Sequence, residues 1–287
     1  MSATRLAAWL TGRRAFITGG GSGIGLALAT QLTRDGWTVG LLDVEPRRLA
    51  AARASLEAAG ARAVHTFTAD VTDEAAFGAA IAAFVAAGGG LDVMVNNAGV
   101  AIAGAVDVTP LADWRWGLEI NVVGPALGCR LALPVMRRAG RGLVINIASA
   151  AAFAAAPQMA TYNASKAAVV ALTETLAAEL GGSGVRAMVV MPGFVPTRLL
   201  ETMRAPPTET AVALRVMGES RYTAERVAAD ILAAAARGRL YAVLPAGYAA
   251  LWRLKRWLPT LFVRLLSGPR ARAAFGDQRG GGSTERT

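Results

Sequence analysis

Apolar positions along this chain fall into two alternating patterns. Short runs rich in Val, Leu and Ile recur at RAFIT (14–18), TVGLLD (38–43), AVHTF (63–67), LDVMV (91–95), GLVINI (142–147), VRAMVV (185–190) and LYAVL (240–244). Between them lie Ala-rich stretches such as EAAFGAAIAAFVAAGG, whose composition favours helix. Runs that stay apolar at successive positions suit strands buried on both faces, as in a parallel sheet covered by helices. Seven strand–helix units in succession predict an α/β fold: a doubly wound, Rossmann-type parallel sheet of about seven strands in a single domain. An eight-unit barrel would need another strand.

Two segments break the alternation. Residues 194–220 contain Pro196, Pro206 and Pro207 and read as a mobile substrate loop with short helices. The loop leaves the carboxyl end of the sixth strand, where open α/β sheets bind ligands. Residues 246–275 follow the last strand as a basic amphipathic helical extension, so the main domain is expected at 1–245. Residues 276–287, GDQRGGGSTERT, are polar and Gly-rich and are expected to be disordered.

Composition narrows the chemistry. With one histidine, His65, and one cysteine, Cys129, a zinc alcohol dehydrogenase site lacks ligands, and no metal is expected. His65 lies inside AVHTF and reads as a core or edge residue. No apolar leader and no spanning helix are evident, so a cytoplasmic protein is expected, with peripheral membrane contact as an option. Of 30 basic residues only Lys166 and Lys255 are lysine, a hint that position 166 needs an ammonium.

The first strand ends in TGGGSGIG, Thr18 to Gly25. Glycines let the backbone turn tightly beside a pyrophosphate, and the following helix aims its N-terminal dipole at the phosphates. Asp43 ends the second strand 18 residues after Gly25. A carboxylate there accepts from the adenosine ribose hydroxyls and repels a 2′-phosphate, which favours NAD over NADP. Arg47 and Arg48 follow and are a phosphate site if Asp43 turns away; the simpler reading leaves them solvated in the next helix. Asp70 is placed to meet the adenine amino group, or to precede a helix that Asp73 caps. The small residues of Asn96-Asn97-Ala98-Gly99 allow a strand end to lie against the cofactor.

Tyr162 and Lys166 stand four apart at the start of TYNASKAAVVALTETLAAEL, on one helix face. An ammonium beside a phenol pulls its pKa from ~10 toward operating pH. Ser149 ends the fifth strand, placed to hold a substrate oxygen. TGGGSGIG, Asp70, NNAG, Asn121 in INVVG, Ser149, YNASK and PGFVPT occur in one order over roughly residues 12–245. In this the chain closely resembles the short-chain dehydrogenase/reductase family. The resemblance implies that Tyr162 exchanges the substrate proton, Lys166 binds the nicotinamide ribose and lowers the tyrosine pKa, Ser149 polarises the carbonyl, and Asn121 holds a water relaying protons to Lys166. It implies cofactor contacts from Gly19, Ser22, Gly23, Ile24 and Gly25; from Asp43, Asp70 and Val71; from Asn97, Ala98 and Gly99; from Tyr162 and Lys166; and from Pro192, Gly193, Val195 and Thr197. Ala148 and the additional Gly21 are small departures from the family pattern.

The expected activity is therefore an NAD-dependent oxidoreductase acting on a lipophilic secondary alcohol or ketone. The alternatives are an NADP-dependent carbonyl or 3-oxoacyl reductase, and a non-catalytic nucleotide sensor. A homodimer or homotetramer is expected through the helices around 110–137 and 161–181, and no nucleic acid. From 246 onward eight basic residues face two acidic ones, and Arg253, Lys255, Arg256 and Arg264 alternate with Trp252, Trp257, Leu261 and Phe262. This extension reads equally as a membrane-surface contact or as a cover over the substrate cleft.

Overall fold

The computed structural model describes residue 6 and residues 8–266. Seven strands form one parallel sheet in the order β3-β2-β1-β4-β5-β6-β7. They are β1 (Arg14–Thr18), β2 (Thr38–Asp43), β3 (Val64–Thr68), β4 (Val93–Asn96), β5 (Gly142–Ile147), β6 (Val185–Pro192) and β7 (Tyr241–Leu244). Three of the seven runs, those of β1, β2 and β5, coincide with strand bounds; the others shift by one or two residues at an end. The switch of direction between β1 and β4 opens a crevice at the carboxyl edge.

Helices α1 (Gly23–Arg34), α2 (Pro46–Ala58), α3 (Glu74–Gly88), α4 (Leu111–Leu118), α5 (Gly124–Ala139), α6 (Ala151–Ala154), α7 (Ala160–Glu179), α8 (Pro207–Glu219), α9 (Ala224–Ala236), α10 (Tyr248–Trp257) and α11 (Pro259–Leu266) complete the described chain. Successive strand residues serve opposite faces. Ala15 and Ile17 join the core with Leu28, Leu32 and Ile231 of α1 and α9, while Phe16 joins Phe77, Phe84 and Met136 of α3 and α5. That two-sided burial is why the strands read as unbroken apolar runs. Gly40 in the middle of β2 leaves room for the Phe16 and Phe84 rings, which meet edge to face at 5.5 Å. His65 packs edge-on to Phe84 and takes no part in the crevice.

Helix ends follow local chemistry. Asp73 caps α3 by accepting from Ala76 N at 3.0 Å, and Gly89 closes it at φ 72°. Asp70 instead accepts from the amide and hydroxyl of Thr72. The run Leu111–Ala139 is continuous and is, by length and composition, apolar enough to cross a membrane. The sequence reading expected no such helix. Its inner side, including Leu127, Ala132 and Met136, packs against the sheet.

Candidate active site

At the crevice the backbone is held by side chains of the strands themselves. Thr18 Oγ1 accepts from the amides of Asn97 and Ala98, both at 3.0 Å, and Asn97 Nδ2 donates to Thr18 O at 2.9 Å. These bonds lock the ends of β1 and β4 side by side. Gly19 turns at φ 62°, close against Asn97 and Ala98. Ser22 stands at the N-cap of α1 without a side-chain capping bond, so the first-turn amides have no side-chain partner there. Ser22, Gly23 and Ile24 line the cleft. A pyrophosphate fits this turn: open donors, a helix N-terminus and no Cβ at Gly19 or Gly23. Gly25 does not reach the cleft. It lies against the carbonyl of Gly19 and lets α1 approach β1.

Asp43 is buried, and its two oxygens accept from the amides of Gly21 and Glu45, each at 3.1 Å. Gly21 is thus required: a Cβ there would press on Asp43 Oδ2 and Arg48 Cβ. The sequence reading left Arg48 solvated, and the structure corrects it. Arg48 lines the cleft and pairs with Glu201 at 3.2 Å, because the 194–220 segment folds back across the mouth. Asp70, Val71, Asn97, Ala98, Gly99, Pro192, Gly193, Val195 and Thr197 also line the cleft.

Between α4 and α5 the chain makes a π-helical turn, Glu119–Val123. The extra residue in that turn carries Asn121 inward, fully buried. Its amide group accepts from Val100 N and donates to Val100 O, both at 2.9 Å, and donates to Ser165 Oγ at 3.1 Å. Asn121 does not line the cleft; it fixes the Gly99–Val100 wall to α7. Asn146 of β5 donates to Thr173 Oγ1 of α7 at 3.0 Å and sets that helix on the sheet. From this seat Lys166 Nζ donates to Ile147 O at 3.1 Å and lies 5.7 Å from the centre of the Tyr162 ring.

Tyr162, Lys166 and Ser149 meet on the cleft wall. Burial pushes the Tyr162 phenol above its ordinary range, and a hydrogen bond with Ser149 works in the opposite direction. Burial alone lowers the Lys166 ammonium from 10.5 to about 8. The sequence reading expected a depressed tyrosine; desolvation outweighs the neighbouring groups of the chain itself. The trio can pass one proton between a phenol and a bound oxygen, in a site where burial raises the phenol and lowers the ammonium.

The cleft, about 790 Å³, continues into a second half walled by Ala, Leu, Val and Met. The 194–220 segment forms a 3-10 turn, Arg198–Thr202, capped by Thr197, and then the 13-residue α8. It is fastened at Arg204, whose backbone bonds Ala101 and Ala103, whose guanidinium reaches Asp113 at 2.8 Å and which stacks 3.9 Å over Trp116. No short-range signal in the sequence links Arg204 to Trp116. The far wall is the extension itself: Tyr248 fits against Gly193, and Leu251, Leu254 and Phe262 face the cleft. Residues beyond 266, including Arg270, Arg272 and the 276–287 tail, lie outside the described residues.

Known proteins resemble this chain in sequence and fold. The family model of short chain dehydrogenases matches residues 13–208. The 2-(R)-hydroxypropyl-CoM dehydrogenase of Xanthobacter autotrophicus is 36% identical over 233 residues, spanning 80% of this chain and 93% of that protein. The 3-alpha-(or 20-beta)-hydroxysteroid dehydrogenase of Mycobacterium tuberculosis is 37% identical over 195 residues, 67% of this chain and 72% of that one. A short chain dehydrogenase/reductase from Burkholderia phymatum, solved in complex with NAD, is 33% identical with a TM-score of 0.82, covering 87% of this chain and 94% of that structure. The chain belongs to the short-chain dehydrogenase/reductase family and is an oxidoreductase that interconverts secondary alcohols and ketones.

Proposed function

We propose that the protein is an NAD-dependent dehydrogenase/reductase for a lipophilic small molecule, with Tyr162 as its acid/base. The observation that carries this reading is the buried Tyr162, bonded to Ser149 and flanked by Lys166, at the junction of a polar cleft half and an apolar one. Ser149 and Tyr162 hold the substrate oxygen, and Tyr162 takes or returns its proton. Lys166, desolvated between Ile147 O and the phenol, stabilises the phenolate by charge. Asn121 is a positioning residue that keeps the cleft wall and α7 in register. When bound, NAD supplies the hydride acceptor, and its positive nicotinamide further favours the phenolate. The complete Asn121–Ser149–Tyr162–Lys166 set weighs against a non-catalytic sensor. The test is NAD reduction over steroid, long-chain, aromatic and terpenoid alcohols; no turnover with any would overturn the reading.

NAD is preferred because Asp43 stands at the ribose pocket and Arg48 is engaged by Glu201. The Burkholderia phymatum relative in complex with NAD supports that choice. The rival NADP reading rests on Arg48, which also lines the cleft. The main domain is taken as 1–245, with the extension from 246 serving as a cover. Exposed Leu111, Leu118 and Val123 on the α4–α5 run support a second copy as partner, giving a dimer or tetramer by light scattering. The outer side of α10–α11 supports a peripheral contact with anionic lipid, since Trp257, Leu258 and Leu261 are exposed alongside Arg253 and Arg264.

A further inference from the structure

The apolar half of the cleft contains a carboxylate, Glu209. Helix α8 turns a single face inward, with Glu209, Val212, Ala213, Val216 and Met217 at helical spacing. Four of the five are apolar. Glu209 is half-buried, and its Oε2 is wholly shielded with no hydrogen-bond partner. Other acids near the mouth are accounted for: Glu201 is held by Arg48 and Arg198, and Asp113 by Arg204. Glu209 has no such cation among the described residues. A shielded carboxylate oxygen without a donor is costly, and protein interiors rarely keep one unless a ligand or water completes it. Its place in the first turn of α8, which begins at Pro207, brings Oε2 no donor.

We infer that Glu209 is a substrate-specificity residue that accepts a hydrogen bond from a second donor, a hydroxyl or an ammonium, on the lipophilic substrate. The inference rests on the proposed alcohol oxidation and sharpens it: the preferred substrate is a lipophilic diol or amino alcohol, and only its carbinol beside Tyr162 is oxidised. No additional chemistry is required of Glu209. It binds and orients the far end of the molecule while the proton and hydride leave the near end.

The experiment compares three alcohols on one hydrocarbon skeleton: a mono-alcohol, the diol with a distal hydroxyl, and the amino alcohol. Wild-type enzyme should show the lower KM for a donor-bearing member, with kcat within a few-fold across the set. In Glu209→Ala, KM for that member should rise roughly tenfold or more, as for loss of a hydrogen bond to a charged group. KM for the mono-alcohol should fall, because the carboxylate no longer faces hydrocarbon. Glu209→Gln, which keeps an acceptor, should recover part of the diol preference and none of an amine preference. NAD affinity serves as the control for folding. Equal effects of Glu209→Ala on all three alcohols, or no wild-type preference, would overturn the inference while leaving the alcohol dehydrogenase reading in place. If no alcohol is oxidised, the parent reading fails instead, and binding of the same three compounds to the NADH complex, wild type against Glu209→Ala, still decides the role of Glu209.

Discussion

The two halves of the cleft are built on different principles. The cofactor half is fastened by short-range polar bonds of fixed geometry: Thr18 to Asn97 and Ala98, Asp43 to Gly21 and Glu45, Asn121 to Val100. The substrate half is closed by whole helices, α8 and α10–α11, that present apolar side chains over a cavity. A hydrogen-bonded turn loses function when one atom moves, whereas an apolar wall repacks at modest cost. Substitutions in the first half should therefore act on chemistry and cofactor choice. Those in the second should act on KM and on which substrate is taken. Where the halves meet, at Tyr162, the largest effect is expected. Tyr162→Phe removes only the phenolic oxygen and should lower kcat at least about a hundredfold while NAD binding is retained. Activity within tenfold of wild type would show that the proton travels by another group.

Lys166 allows the same boundary to be read as stability. Burial lowers its pKa from 10.5 to about 8, so below pH 8 the folded protein carries a charge that the fold disfavours. Between pH 8 and 10.5 the unfolded chain binds more protons than the folded one. Stability therefore rises with pH across that window and is lost as pH falls from 10.5 toward 8. Lys166→Met removes the penalty. It should stabilise the apo protein at pH 7 by on the order of 2 kcal/mol, since one pKa unit corresponds to about 1.4 kcal/mol and a bond to Ile147 O is forfeited. It should also abolish turnover and flatten the pH dependence of urea unfolding between pH 8 and 10. A less stable variant would mean that the ammonium is stabilising where it sits.

Cofactor preference is the next smaller effect. Asp43→Ala should cut the NAD over NADP ratio of kcat/KM by roughly tenfold, the scale of a hydrogen bond to a charged group. Glu201→Gln, acting from the substrate segment, frees Arg48 and should shift the same ratio toward NADP by only a few-fold, as expected for a partly exposed ion pair. If Glu201→Gln shifts the ratio as much as Asp43→Ala does, the two halves are coupled more tightly than their construction suggests.

The unequal legibility of the halves has the same cause. In the cofactor half, chemistry is local in sequence. TGGGSGIG, NNAG and Tyr162-x-x-x-Lys166 each place their groups within one turn or one strand end, so spacing alone locates them. Even there, the π turn at Glu119–Val123 that buries Asn121 leaves no periodic signature, and Gly21 looks dispensable until Asp43 and Arg48 are seen against it. In the substrate half the partners are distant. Arg204 meets Trp116 and Asp113, Glu201 meets Arg48, and Tyr248 meets Gly193. Prolines at 196, 206 and 207 suggest a loop, yet Pro207 begins a regular 13-residue helix, as proline does well in a first turn. The extension was equally compatible with covering the cleft or meeting a membrane because its two sides differ, and composition cannot divide them.

That division supports the last and smallest predicted effect. Within α10–α11 the inner side is spoken for: Trp252 packs on Tyr241 at 5.1 Å with Arg256 stacked beside it, and Phe262 is buried under Lys255. The outer side leaves Trp257 82% exposed, along with Leu258, Leu261 and Val263, and residues 246–266 contain no acid. An exposed indole beside arginines suits the headgroup region of an anionic bilayer, where each cation adds about 1 kcal/mol at low salt. The full chain should therefore sediment with vesicles containing phosphatidylserine, much less with phosphatidylcholine alone, and less again as salt is added. On binding, Trp257 and not Trp252 should carry the blue shift, so Trp257→Phe should remove it while turnover of water-soluble alcohols continues. Truncation after Ala246 should remove vesicle binding and, by unroofing the cleft at Leu251 and Leu254, raise KM for apolar alcohols with NAD affinity kept. Loss of the KM effect alone would leave only the lipid contact. If neither vesicle sedimentation nor Trp257 emission responds, and the chain instead runs as a dimer that dissociates on truncation, the outer face meets a second copy.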